Sequence, residues 1–382
     1  MSNPSNIVVT CSRGVAPFLR SELQALGFPI LSEKDAAVQT RGSFEDCLRL
    51  NLYLRTAQAV LFEIGAFRAG TPDELYKGIA CIAWEGLLFQ DGYVCVTSTV
   101  LTDAVRDPRF ATLKCKDAIV DRMVKVVGSR PDSGSDRDKA VVHLHWDVSQ
   151  AQVYIDTSGE SLSRRNYRKN PWQAPMQESL AATCVLASGW TGQGNFVNPM
   201  CGSGTLAIEA ALIALGRAPG LLRKNYGFMH IKGYREKTWK ELCRSAQETR
   251  KAPAGKIIAS DINPKAIEAA RNNATNAGVD QAIEFSVCDF MQTTVPPDGG
   301  VVMFNPDYGE RRGSDKNLEP MYKGIGDFMK QKCEGYKGYV FTGNLALAKK
   351  IGLRSSRRIQ LFNSNIECRL LEFELYAGTR DP

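Results

Sequence analysis

The sequence predicts an α/β protein whose C-terminal half is a doubly wound, mostly parallel sheet finished by an antiparallel hairpin, with smaller α+β units ahead of it. Three observations carry this expectation. From about Leu180 onward, short apolar runs alternate strictly with longer helix-like segments, the signature of successive strand–helix–strand crossovers. Turn residues stand where those runs stop, as in Gly202-Ser203-Gly204 and Asn263-Pro264. The chain then closes with two strand-like runs, Arg358 to Asn363 and Glu367 to Tyr376, around a turn at Ser364-Asn365.

Taken in order, an apolar strand at Ile7-Val8-Val9-Thr10 precedes a helix from Ala16 to Leu26 that Gly27 stops. Strands at Ala37 to Thr40 and Ala59 to Ile64 flank a helix at about Ser43 to Arg55, which suits a small α+β unit. A second unit starts near Thr71-Pro72. It has a helix carrying Leu75, Ile79 and Ile82, a strand at Tyr93 to Val100, a helix at Leu113 to Val127, and strands at Val141 to Trp146 and Ala151 to Asp156. Gly128 to Asp136 is polar and turn-rich, so an exposed loop is expected there. The parallel sheet takes strands at Asn195–Val197, Lys256–Ser260, Ile283–Val287, Val301–Phe304 and Gly338–Thr342. Helices at Thr205–Leu215, Pro264–Ala277 and Asn317–Lys330 lie between them.

With 382 residues, 43% of them hydrophobic, the chain is long enough for two or three cores and too apolar to be disordered. No run approaches the roughly 18 apolar residues of a membrane span, and Met1-Ser2-Asn3-Pro4-Ser5 does not begin a secretory signal, so a cytoplasmic protein without a membrane partner is expected. The 11 cysteines contain no Cys-x-x-Cys pair, and His143, His145 and His230 lack ligand spacing, so neither a disulfide framework nor a metal site is expected. The net charge of +7 is uneven. Residues 1–160 hold 17 Lys and Arg against 20 Asp and Glu, leaving 31 against 21 for residues 161–382. Cations cluster at Arg164, Arg165, Arg168 and Lys169, through Arg217 to Lys256, and at Lys349 to Arg358, which points to an anionic polymer as partner.

Four expected strand ends carry the chemistry. The first runs into Asn198-Pro199-Met200-Cys201-Gly202-Ser203-Gly204-Thr205, a glycine turn opening an Ala/Leu/Ile-rich helix; alone it reads equally as a tight turn or as a loop that lets a ligand reach bare backbone. The second ends at Asp261-Ile262, where an acidic tip commonly grips ribose hydroxyls; Asn263 is free to cap the next helix. The third ends at Asp289-Phe290, a carboxylate for an adenine amino group and a ring to pack on the base. The fourth gives Asn305-Pro306-Asp307-Tyr308. An exocyclic amine on a purine is a poor nucleophile; the Asn305 side chain and Pro306 carbonyl can hold its two hydrogens, and Tyr308 offers a π-face to an unstacked base. In-line displacement from a sulfonium asks for alignment and charge complementarity, without a metal.

These residues make the chain resemble the THUMP-containing RNA methyltransferases, specifically the family that modifies the guanine 2-amino group in 23S ribosomal RNA. The likeness shows in Pro199 to Thr205 with Ile208-Glu209-Ala210-Ala211, in Arg217-Ala218-Pro219-Gly220, in Tyr308-Gly309-Glu310-Arg311, and in Lys116 to Asp121 and Leu162 to Arg168. The resemblance implies a Rossmann-like class I methyltransferase domain at 181–382, a linker at 161–180, a THUMP RNA-binding domain at 69–160 and a ferredoxin-like domain at 1–68. It implies S-adenosylmethionine as cofactor, S-adenosylhomocysteine as product, and 23S rRNA or an assembly intermediate of the large ribosomal subunit as partner. The expected catalytic group is Asn305, Pro306, Asp307 and Tyr308; the cofactor group is Asn198, Pro199, Cys201, Gly202, Gly204, Thr205, Asp261, Ile262, Asp289, Phe290 and Asn305. Arg165, Arg168, Arg223, Lys224, Arg235 and Arg311 are expected to meet RNA. Transfer RNA as substrate, and a catalytically weakened ribosome-assembly factor, are the alternatives. The family usually has aspartate in place of Asn198 and proline in place of Asp307, and Gly202 and Gly204 are expected to keep a Cβ away from the methionine moiety.

Overall fold

A computed structural model describes residues 3–171, 176–249, 251–309 and 318–376. The chain divides into two compact units: Met1–Cys11, Leu19–Leu162 and Arg223–Ser245 form the first, and Ser12–Phe18, Ser163–Leu222 and Ala246–Pro382 the second.

In the first unit the strands β1 (Ser5–Cys11), β2 (Ser32–Lys34), β3 (Ala37–Gly42), β4 (Ala57–Arg68), β5 (Tyr93–Leu101), β6 (Asp132–Gly134), β7 (Ala140–Asp147) and β8 (Gln150–Asp156) make one sheet, in the order β2-β3-β1-β4-β8-β7-β5-β6. Strand β4 pairs with β1 on one side and β8 on the other, so a single sheet runs through both expected α+β segments. Helices α1 (Ala16–Ala25), α2 (Phe44–Tyr53), α3 (Pro72–Cys81) and α4 (Pro108–Val127) intervene. Capping boxes at Ser43/Asp46 and Thr71/Glu74 start α2 and α3 by satisfying their free N–H groups. Strand alternation sends Ile7, Val9, Val142, Leu144 and Trp146 to a fully buried face, while Val8, Thr10, His143 and His145 stand on the opposite one. The buried Trp84 and Trp146 indoles donate to the carbonyls of Ile79 and Ala69.

The polar stretch expected as a loop contains β6, which adds to β5 in parallel at the sheet edge. An edge strand pairs through its backbone and has little to bury, so Asp132-Ser133-Gly134 carries no apolar signal. The insertion Arg223–Ser245, with helix α7 (Glu236–Glu248), also joins this unit. Its anchor is aromatic. Tyr226 stacks on Phe228 at 4.9 Å, and Trp239 meets both rings edge-on at 5.2 and 5.0 Å. Gly227 is forced by proximity, since a Cβ there would lie 2.3 Å from the Asp156 carbonyl oxygen.

The second unit is the expected doubly wound sheet. Strands β9 (Asn195–Pro199), β10 (Ile257–Asp261), β11 (Glu284–Val287), β12 (Gly300–Phe304) and β13 (Tyr336–Thr342) run parallel, and the hairpin β14 (Arg357–Asn363) and β15 (Ile366–Glu374) closes it antiparallel to β13. The order is β11-β10-β9-β12-β13-β15-β14. Helices α5 (Glu178–Ala187), α6 (Thr205–Ala214), α8 (Pro264–Ala277), α9 (Glu319–Lys332) and the short α10 (Leu345–Ala348) connect the strands. Helix α5 is buried on nearly every side, so it lacks the polar stripe by which an amphipathic helix is read. Asn263 caps α8 through the Lys265 N–H, with Pro264 at its first position.

Candidate active site at the ends of β9, β10 and β12

Strand β9 lies between β10 and β12, where the chain reverses its direction of winding, the position at which doubly wound sheets bind ligands beyond the carboxyl ends of their strands. The ladder between β9 and β12 stops at Val197 and Val302. Asn198 spans the opening: its Nδ2 donates to the Met303 carbonyl at 2.9 Å. The residue is fully buried, and its Oδ1 has no hydrogen-bond partner. An orphan acceptor of this kind costs free energy until a donor arrives. Met200, Gly202 and Gly204 take left-handed φ values of 56°, 55° and 80°, folding the turn back toward β10. There the Cys201 N–H donates to the Ser260 carbonyl, and the Gly202 N–H to Asp261 Oδ2 at 3.0 Å.

Asp261 therefore fastens the glycine turn to β10, while its Oδ1 accepts from the Asn263 N–H at 2.9 Å. A carboxylate has about four acceptor positions, so lone pairs remain for hydroxyl donors. Beside it Ile262 is a large apolar side chain that is 70% exposed. Asp289 uses one oxygen to cap the turn at Met291. Phe290 is half-buried and anchored edge-on against Phe304 and Phe328 at 6.4 and 6.3 Å, so core packing is its first role. Cys201 has its thiol pushed far up by burial and by Asp261, leaving it neutral and unreactive. The reason for Gly204 differs from the expected one. A Cβ there would meet Ala270 Cβ of α8 at 2.9 Å, so helix packing, rather than a ligand, excludes a side chain.

At the end of β12, Asn305 is half-buried, and its side chain makes no hydrogen bond among the described residues, while Pro306 is buried. Asp307 turns one oxygen onto the Gly309 N–H at 3.1 Å. Tyr308 is held from three sides. Its hydroxyl accepts from Asn363 Nδ2 at 2.9 Å, its carbonyl faces Asn344 Nδ2, and a Cβ at residue 343 would come within 3.2 Å of its ring. Asn344, Gly343 and Asn363 carried no signal in the sequence, because β13 and β14 bring them to Tyr308 from 35 or more positions away. The Ser12–Phe18 segment was equally invisible. It docks on β14 with the Arg13 guanidinium 4.3 Å above the Phe362 ring, and Gly14 leaves no room for a Cβ against the Gln360 carbonyl.

Three of the cations expected to meet RNA are structural. Arg165 is 2% exposed and pairs with the fully buried Glu209, which also accepts from the Tyr167 hydroxyl at 3.1 Å. Arg168 bridges Glu178 and the Thr205 hydroxyl, so its charge pins the 163–171 strap to the start of α6. Arg223 is 7% exposed and donates to the carbonyls of Ser158, Glu160 and Ser161 while lying on the Tyr226 ring. A cation is tolerated in a buried position where acidic or carbonyl partners offset its desolvation, and sequence clustering does not reveal those partners. Lys224 is exposed, and Arg235 is exposed but paired with Glu45 at 3.0 Å. Arg311 lies outside the described residues.

Comparison with known proteins agrees with this architecture. The RMKL-like methyltransferase domain matches residues 165–372, the RlmL ferredoxin-like domain residues 6–61 and the THUMP domain residues 69–156. The chain is 39% identical over 98% of its length to a protein of Syntrophotalea carbinolica named ribosomal RNA large subunit methyltransferase K/L, of which it covers 54%. It is 35% identical over 96% of its length to a protein of the same name from Methylococcus capsulatus, covering 50% of that one. The chain thus spans about half the length of the curated relatives it matches. Among solved structures, SMU.472, a candidate methyltransferase complexed with SAH, superposes with a TM-score of 0.88 at 26% identity, covering 99% of this chain and all of that one.

Proposed function

Because this chain belongs to the RMKL-like methyltransferase domain family, we propose that it transfers a methyl group from S-adenosylmethionine to the exocyclic 2-amino group of a guanine in large-subunit ribosomal RNA, most naturally 23S rRNA. The observation that carries the reading is the half-buried Asn305 amide. It makes no hydrogen bond among the described residues, and a buried Pro306 and a Tyr308 whose hydroxyl accepts from Asn363 follow it in the chain. An amide oxygen and a backbone carbonyl together hold both hydrogens of a conjugated amine and localise its lone pair, while the aromatic face holds the unstacked base.

The cofactor fits the residues present. The orphaned Asn198 Oδ1 suits an ammonium donor from the methionine end, Asp261 retains acceptor capacity for ribose hydroxyls, and the exposed Ile262 offers apolar surface to adenine. When bound, the cofactor supplies an electrophilic methyl on a sulfonium. The chain's own work is alignment of the amine, exclusion of water and acceptance of charge, with no metal in the scheme.

The test is methyl transfer from radiolabelled S-adenosylmethionine to unmodified 23S rRNA, large-subunit precursors and transfer RNA, with the product nucleoside identified by mass spectrometry. N2-methylguanosine in ribosomal RNA, lost in Asn305→Ala, is the expected outcome. Label in transfer RNA alone would replace the substrate. Calorimetry showing no cofactor binding at millimolar concentration would replace the enzyme with an RNA-binding assembly factor.

A further inference from the structure

The open face of the eight-stranded sheet in the first unit carries a cavity of about 350 Å³, lined by side chains of β1, β2, β3, β4, β5, β7 and β8. That volume lies in the range of ordinary small-ligand sites. Its floor is apolar, from Val8, Ala37 and Leu61, and its wall is polar, from His143, His145, Gln152 and Tyr154, with Lys34 at one side. The antiparallel register sets His143 opposite Tyr154 and His145 opposite Gln152, so these four form one block on one face.

The block keeps hydrogen-bonding capacity toward the cavity. Tyr154 is 4% exposed, yet its hydroxyl has no hydrogen-bond partner among the described residues, and the same holds for the His145 ring, the Gln152 amide and the Lys34 ammonium. A tyrosine buried to this degree normally bonds its hydroxyl. His143 is different: its ring nitrogens meet the hydroxyls of Thr97 and Thr99 at 2.9 and 3.3 Å, and burial pushes it down to about 4, so it is a neutral, fixed ring. Burial and Lys34 also lower His145. No carboxylate is among the lining residues. The chemistry therefore asks for a ligand that is flat, uncharged and rich in hydrogen-bonding edges at one end, and anionic at the other.

We propose that this cavity binds a nucleotide: a base lying on the Val8–Leu61 floor beside Tyr154 and the two histidines, with its edge read by Gln152 and the Tyr154 hydroxyl and its phosphate met by Lys34. Such a nucleotide comes either from an unpaired segment of the RNA or from the free pool. An open sheet face can hold an unstacked base through contact with its floor and hydrogen bonds to the base edge.

The test uses the full-length chain, a fluorescent single-stranded RNA dodecamer of mixed sequence, and AMP and UMP as free nucleotides. Tyr154→Phe removes one hydroxyl, and Gln152→Ala and Lys34→Gln remove the edge and the phosphate partner. Each is expected to weaken dodecamer binding three- to tenfold, leaving the thermal midpoint and S-adenosylhomocysteine affinity unchanged. A 4-thiouridine-substituted dodecamer is expected to crosslink to the β7–β8 face. If the variants lower AMP or UMP affinity alone, the site holds a free nucleotide. If neither ligand responds to any of the three, and crosslinks fall elsewhere, the site does not exist. Binding is scored without methyl transfer, so this outcome is independent of the activity proposed above.

Discussion

Asn198→Asp introduces the residue that the family resemblance leads one to expect at this position, and the structure says that it should harm this chain. Asn198 is fully buried and its Nδ2 donates to the Met303 carbonyl at 2.9 Å across the crevice between β9 and β12. An ionised carboxylate cannot donate there. It leaves one carbonyl unsatisfied, costing about 1–3 kcal/mol, and it brings a charge into a buried position. Burial should raise the introduced carboxyl by about two to three units above its ordinary 3.9, equivalent to about 3–4 kcal/mol at pH 8. The sign follows from proton uptake. With its folded pKa raised, the group costs nothing below about pH 4, where both states are protonated, and the full penalty develops once pH passes the folded value near 6–7. The assay is urea unfolding of parent and variant at pH 5 and pH 8, with and without saturating S-adenosylmethionine. The stability difference should grow by more than about 1 kcal/mol between the two pH values and shrink when a cationic methionine end supplies a partner. A variant within about 0.5 kcal/mol of the parent at pH 8, with no pH dependence, would refute the claim that Asn198 acts as a donor across the crevice.

Gly204→Ala meets both a φ of 80° and Ala270 Cβ at 2.9 Å, so it should lose about 2–4 kcal/mol by urea unfolding, and adding Ala270→Gly should return only the steric part. Glu209→Ala strands the buried Arg165 and should cost about 3–5 kcal/mol, whereas Arg165→Met with Glu209→Leu should recover most of it; a double variant no better than the single one contradicts the ion-pair account. His143, lowered by burial from 6.5 to about 4, contributes stability that is complete above pH 6.5 and disappears as pH falls to 4, about 3 kcal/mol in all. His143→Gln should flatten the pH profile of stability over that window. Asp307→Pro removes the carboxylate next to the proposed amine and should slow methyl transfer at least tenfold; equal or faster transfer would show that Asp307 plays no electrostatic part.

The parallel sheet was legible because β9, β10, β12 and β13 are short buried runs, mostly apolar, each followed by polar residues at its carboxyl end. Asn198, Asp261 and Asn305 come together at β9, β10 and β12 for that reason. Elements without a one-dimensional signal were not legible. Helix α5 is buried nearly all round, β6 has no apolar residue, and β2 is three residues long. The contacts that aim Tyr308 join positions 35 and 55 residues apart, which only the hairpin β14–β15 and strand β13 bring close. Charge was the most misleading guide. Arg165 and Arg223 look like surface cations in the sequence, and their partners, Glu209 and the carbonyls after β8, lie about 44 and 65 positions away.

Redistributing those cations changes the argument about RNA. Read linearly, residues 1–160 are net acidic, which sits poorly with an RNA-binding role. The first unit, however, includes Arg223–Ser245 and excludes Arg13, so it holds 23 Lys and Arg against 22 Asp and Glu. Arg223 commits its donors to backbone carbonyls inside the unit and is too buried to meet a phosphate directly. What remains is local: Lys237, Lys240 and Arg244 are exposed at three- and four-residue spacing, so they share one face of α7, with Lys224 exposed nearby in sequence. Trp239 and Ala246 bury the opposite face. Glu236, paired with Lys240 at 2.9 Å, and Glu241 share that face, so its excess is one cation, which fits phosphate positioning with only a weak salt dependence. Charge reversal at Lys237, Lys240 and Arg244 should therefore flatten the salt dependence of RNA binding, while reversal at Arg223 should instead unfold the insertion.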